Sequence, residues 1–215
     1  ATQTTIDYIT ISQLGNAIDF GNMTDSGRIG APGVSNQTRG CYLGGYNYGT
    51  NAAKDIIEYI TIASTGDGID FGNLTSAKEF GSQSTCASST RGIAFRVSGN
   101  TIDYITIATT GDATDFGDVV TGTDAGAGLS NSTRGIIAGG AAPGTPTTIE
   151  YITIATLGNT IDFGDLNQGN NGGAGMSSPT RGVVGGMKTP TAFPTLDYIE
   201  IMTLGNATDF GDMTL

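Results

Sequence analysis

Residues 101–118 read TIDYITIATTGDATDFGD, and close copies of this stretch stand at four other places in the chain. Its first part, I/L-D/E-Y-I-x-I, recurs at residues 6–11, 57–62, 102–107, 149–154 and 196–201. The tyrosines of this unit are Tyr8, Tyr59, Tyr104, Tyr151 and Tyr198, at intervals of 51, 45, 47 and 47 residues. Its second part, D-F-G, begins at Asp19, Asp70, Asp115, Asp162 and Asp209, and each phenylalanine lies 12 residues after the tyrosine of its repeat. A third unit, T-R-G, carries Arg39, Arg91, Arg134 and Arg181 and occurs four times, not five. A self-similar period of this length is the first thing a sequence can say about its fold.

Each unit predicts a strand. IDYITI at residues 102–107 is β-branched and aromatic, and six residues is strand length. Alternation puts Ile102, Tyr104 and Thr106 on one face and Asp103, Ile105 and Ile107 on the other. Apolar groups on both faces predict a strand covered on both sides. A Gly-Asn or Gly-Asp turn follows, as at Gly111 and Asp112, because these residues tolerate positive φ. The next strand runs through D-F-G. Another short strand precedes T-R-G, and a fourth follows the arginine and ends in Gly-Gly, as at Gly139 and Gly140. Glycine, 35 of 215 residues, penalises helix, and helical periodicity is missing over any useful length.

Four short strands in about 47 residues is the unit that a β-propeller stacks around an axis. The expectation is one all-β domain over residues 1–215, with repeats at about 1–37 (partial), 38–80, 81–125, 126–170 and 171–215. Gly-Gly pairs are expected to allow close approach near the axis. The pattern gives two strands and then four sets of four, so one of about five blades is incomplete or is completed by another segment. An open solenoid with covered ends is the alternative.

The Gly-Gly strand, the aromatic strand and a strand before an arginine resemble kelch repeats, although Phe20, Phe71, Phe116, Phe163 and Phe210 stand near the place of the usual tryptophan. The wording I-D-Y-I-T-I-A-T, A-T-D-F-G-D and S-S-x-T-R-G-V-x-x-G-G is similar to the repeat-bearing virion structural proteins of cyanobacterial and other marine bacteriophages. The resemblance spans essentially all 215 residues. It implies location in the virion, as a tail, fibre or capsid-surface module, with other virion proteins or copies of itself as partners and attachment to a host-surface glycan as a second role. The second repeat departs most, with Phe95 and residues 96–98 where Gly-Gly would stand.

Charge narrows the partners. Twenty acidic against nine basic residues give −11, which disfavours nucleic acid and anionic membranes. No apolar run reaches the roughly 18 residues of a membrane span, and residues 1–5 lack the pattern of a secretory leader. Histidine is absent, which removes His metal sites and His-based triads. Cys41 and Cys86 fall at different offsets in their repeats and are expected to be separate thiols. Asp112, Asp115 and Asp118 alternate along a strand rather than converge, so neither a metal nor a cofactor is expected. Acids that recur in every repeat argue for scaffolding, because a catalytic site breaks symmetry; no enzyme is expected. Arg39, Arg91, Arg134 and Arg181 are four of six arginines, and their periodicity alongside Asp19, Asp70, Asp115, Asp162 and Asp209 predicts structural pairs in which the arginine bridges a carboxylate and nearby carbonyls. The most distinctive variable stretch is residues 44–55, where Tyr46 and Tyr48 are the candidate recognition residues, lectin-like contact with carbohydrate being the alternative function. Residues 121–128, 168–175 and 187–194 also vary.

Overall fold

A computed structural model describes residues 4–25, 28–78, 84–95, 99–121, 125–141, 146–169, 171–186 and 194–214. The described residues form strands and turns and no helix. Residues 96–98 and most of the variable stretch 187–194 lie outside them, as do parts of 121–128 and 168–175.

The strands sort into five sheets in a propeller-like arrangement of blades. Blade 1 is a hairpin of β1 (Thr5–Tyr8) and β2 (Ile18–Asn22). Blade 2 holds β3 (Arg28–Ile29), β4 (Gly33–Ser35), β5 (Arg39–Leu43), β6 (Tyr46–Asn47), β7 (Ala52–Thr61) and β8 (Ile69–Lys78). Blade 3 is β9 (Thr85–Ala87), β10 (Arg91–Ala94), β11 (Thr101–Thr106) and β12 (Thr114–Asp118). Blade 4 is β13 (Ala127–Ser130), β14 (Arg134–Ala138), β15 (Thr148–Thr153) and β16 (Ile161–Asp165). Blade 5 is β17 (Ala174–Ser177), β18 (Arg181–Gly185), β19 (Thr195–Glu200) and β20 (Thr208–Asp212). Blades 3, 4 and 5 are antiparallel meanders, and blade 2 contains the same meander as β4-β5-β7-β8.

The expected 18 strands are all present, and two more, β3 and β6, extend blade 2 by pairing onto the start of the ten-residue β7. Blade 2 therefore begins ahead of residue 38, because β4 pairs with β5. The leading strands β4, β9, β13 and β17 lie side by side across blades, around an opening of about 450 Å3 bordered by Pro32, Gly33, Thr85, Gly128 and Gly175. Close approach at this inner rim is made by Gly128 and Gly175, where an added Cβ on Gly175 would stand 2.5 Å from the Gly128 carbonyl oxygen. The Gly-Gly pair after β14 does a different job. Gly139 and Gly140 carry positive φ (64° and 130°) and turn the chain out of β14.

The two-sided strand pattern has its reason in three apolar layers, one for each pair of adjacent blades from 2 to 5. Ile57 and Phe71 of blade 2 pack with Ile105 and Ile107 of blade 3. Ile102 and Phe116 of blade 3 pack with Ile152 and Ile154 of blade 4. Ile149 and Phe163 of blade 4 pack with Ile199 and Ile201 of blade 5. The I-D-Y-I-x-I strands of blades 3 and 4 thus lend their first isoleucine to one layer and their last two to the other, and burying each is worth roughly 1.5–3 kcal/mol.

Candidate functional site

Most of the residues that the repeats mark lie where one blade meets the next. Local geometry begins with a β-bulge in every D-F-G. In blade 3, Ile102 faces Gly117 and Asp103 faces Asp115, so Phe116 is the extra residue. The same shift occurs in all five blades. The bulged phenylalanine meets the tyrosine of its own blade edge-on, with ring centroids 6.0–6.2 Å apart in the five pairs. The Asp115 and Asp209 carboxylates each accept a hydrogen bond from the glycine amide two residues on, at 2.9 Å.

The glycine of D-F-G touches the next blade. Gly117 has φ 144°, and a Cβ there would lie 2.4 Å from the carbonyl oxygen of Gly158. That approach lets the blades hydrogen-bond through their backbones. Gly158 N–H donates to Phe116 O at 2.9 Å and Thr160 N–H to Asp118 O at 2.9 Å, while Asp118 N–H donates to Asn159 Oδ1 at 3.0 Å. Equivalent bonds run from Gly66 to Phe20, from Gly111 to Phe71 and from Gly205 to Phe163. The Gly-Asn/Asp turns therefore also carry the contact between blades: Asp67, Asp112, Asn159 and Asn206 all accept a backbone N–H from the preceding blade.

The recurring arginines reach across the same boundary. Each guanidinium stacks on the tyrosine of its own blade, Arg39 on Tyr59, Arg91 on Tyr104, Arg134 on Tyr151 and Arg181 on Tyr198, at 4.4–4.6 Å from the ring centroid. Arg39, Arg91 and Arg134 then donate to the carbonyls of Ile107, Ile154 and Ile201 in the next blade, at 3.1, 2.8 and 3.0 Å. The expected bridge to carbonyls is present, but the expected partner carboxylates, Asp19, Asp70, Asp115, Asp162 and Asp209, are not the arginines' partners. The bulge turns those acids outward, where they are exposed. Arg181 differs from the other three: it forms an exposed ion pair with Glu200 of its own blade at 3.0 Å.

The buried acids are a different set, Glu58, Asp103, Glu150 and Asp197, at the second position of the I-D/E-Y unit. Each receives bonds from the preceding blade. Thr75 donates its N–H and hydroxyl to Asp103 at 3.0 and 2.7 Å, and Asn167 donates its N–H and side-chain amide to Asp197 at 3.0 and 2.7 Å. Thr24 serves Glu58 and Thr121 serves Glu150 in the same way. Glu58 also pairs with the buried Arg28, which donates to Gly44 O and Ile56 O at 3.1 and 3.0 Å and so ties β3 to β7. The sequence signal for these acids was their invariance as Asp or Glu inside an otherwise apolar strand.

The candidate recognition residues sit on the blade 2 extension. Tyr46 lies in β6 and donates its hydroxyl to Asn51 Oδ1 at 2.7 Å; Tyr48 packs edge-on against it at 5.2 Å and is 69% exposed. Cys41 and Cys86 are free, buried and in separate apolar layers. Burial pushes the Cys41 thiol up to about 11, partly opposed by the nearby Arg39 charge, and pushes the Cys86 thiol up as well. Among the described residues Tyr8, in blade 1, is the one repeat tyrosine without an arginine over its ring, and a cleft of about 310 Å3 opens beside it, bordered by Phe20, Tyr42, Ile60 and Ile62. Among the described residues no three His, Cys, Asp or Glu side chains are grouped so as to hold a metal ion. No protein-family model matches the chain, and no curated protein matches it.

Proposed function

We propose that the chain is a structural module of a bacteriophage particle, acting in assembly and in contact with the host surface, with no chemistry of its own. The observation that carries this reading is the use made of the periodic polar residues. Arg39, Arg91 and Arg134, the turn residues Asp67, Asp112, Asn159 and Asn206 and the buried acids are engaged in joining one blade to the next, which is what a rigid part needs. The wording of the repeats, similar to virion structural proteins, supplies the particle. An antibody raised against the purified chain should label intact particles of the encoding phage in electron micrographs. Label found only on material released from infected cells, with none on particles, would reject the reading.

A second reading, carbohydrate contact, is favoured by Tyr48, an exposed ring held edge-on by Tyr46. A glycan array probed with the chain and with Tyr48→Ala should then give selective signals that the substitution removes.

A further inference from the structure

The junction between blades is built four times within the chain, and its two halves are left over once. Every phenylalanine of D-F-G is buried under the following blade except that of blade 5: Phe71, Phe116 and Phe163 are 2–3% exposed, whereas Phe210 is 53% exposed. Ile107, Ile154 and Ile201, which close the other side of the junction where the preceding blade has its full meander, are 0–2% exposed; Ile62, beside the two-stranded blade 1, is 46% exposed, and Ile11 of blade 1 is 94% exposed. A Cβ on Gly21, Gly72, Gly117 or Gly164 would strike the next blade, yet one on Gly211 would meet nothing within 4 Å. Arg181 is the one T-R-G arginine without a next-blade carbonyl.

We infer that a second copy of this chain docks head to tail on the first, its blade 1 seated against the outer half of blade 5. The partner is argued from continuity with the internal junctions, because the unused groups correspond one to one with the groups used inside the chain. Gly15 occupies the position of Gly66, Gly111, Gly158 and Gly205, whose N–H groups donate to the bulged phenylalanine carbonyl, so it meets Phe210 O. Asn16 stands where Asp67, Asp112, Asn159 and Asn206 accept, and receives Asp212 N–H. Ala17 N–H returns to Asp212 O, as Thr160 N–H does to Asp118 O. Asp7 stands in place of the buried acids and receives Thr214, the counterpart of Thr75 and Asn167. Arg181 exchanges Glu200 for the Ile11 carbonyl. All of these groups except Arg181, which is half exposed, lie on exposed residues or bare backbone in the single copy. Because blade 1 has only two strands, the inner half of the blade 5 face, with Met176, stays uncovered. Such an interface is heterologous: repeated, it gives a ring if the rotation closes and a filament if it does not.

Sedimentation velocity across a concentration series tests this, combined with amide exchange. Species larger than one chain should appear as concentration rises, and the amides of Gly15, Ala17, Asp212 and Thr214 should slow in step with them. Ile11→Asp changes a side chain that touches little in one copy, so it should leave the melting temperature of the single chain unchanged and weaken association about ten-fold or more. A chain that stays single at every concentration overturns the proposal, including one whose four amides are protected by closure on itself. So does association that survives Ile11→Asp unchanged.

Discussion

At the scale of single residues, the periodic charges divide into those that join blades and those that do not. Arg134 combines a stacked tyrosine with a bond to the Ile201 carbonyl, so Arg134→Ala should cost about 1–3 kcal/mol in urea unfolding. Arg181→Ala keeps the blade boundary intact in the single chain and should cost clearly less. The acids sort the same way. Asp197→Ala strands the Asn167 N–H and amide and should cost about 2–3 kcal/mol, whereas Asp162→Ala should leave stability near that of the parent. Were the D-F-G aspartates the arginines' partners, the order of those two losses would reverse. The spacing of Arg and Asp in the sequence suggested that pairing, and it misled for a definite reason. The bulge at each phenylalanine adds a residue to one strand, so the acid beside it turns to solvent, and a bulge has no signature beyond the D-F-G glycine itself.

At the scale of elements, the strand pattern and the turn positions were legible because they follow from period-two alternation and from glycine beside Asn or Asp. The two-sided apolar strand also announced its burial between neighbours. The glycine of D-F-G and the turn after the tyrosine strand were legible only as punctuation, since their contact is with residues some 40 positions away, as Gly117 is with Gly158. Strands β3 and β6 were not legible at all: two residues each, they are held by the Arg28–Glu58 pair and by the edge of a long β7 rather than by any local pattern. What read as a recognition loop is in part this ribbon, with Tyr46 a strand residue and Tyr48 beside it in the open. The glycine contacts give a sharp comparison. Gly117→Ala meets both an unfavourable φ and the Gly158 carbonyl and should lower stability by about 2–4 kcal/mol in chemical denaturation. Gly211→Ala meets only the φ and should lower it less.

At the scale of the whole molecule, stability is close to a sum of blades and the junctions between them, as in other repeat architectures. The apolar layers carry most of it, and both thiols lie in those layers. Folding holds Cys41 protonated up to about pH 11, above its unfolded value of 9.0, so unfolded chains release that proton first. Stability should therefore be independent of this thiol below about pH 9 and fall as pH rises through about 11, and Cys41→Ala should flatten that fall. Adjacent blades are hydrogen-bonded through the turns at Gly66, Gly111, Gly158 and Gly205, at 2.7–2.9 Å, as strands are within a blade. Residue-resolved amide exchange on dilute, single-copy protein measures this directly. These four glycine amides should exchange as slowly as those of β11 and β15, while the Gly15 amide exchanges freely; rapid exchange at all five would mean that the turns do not hold the blades together.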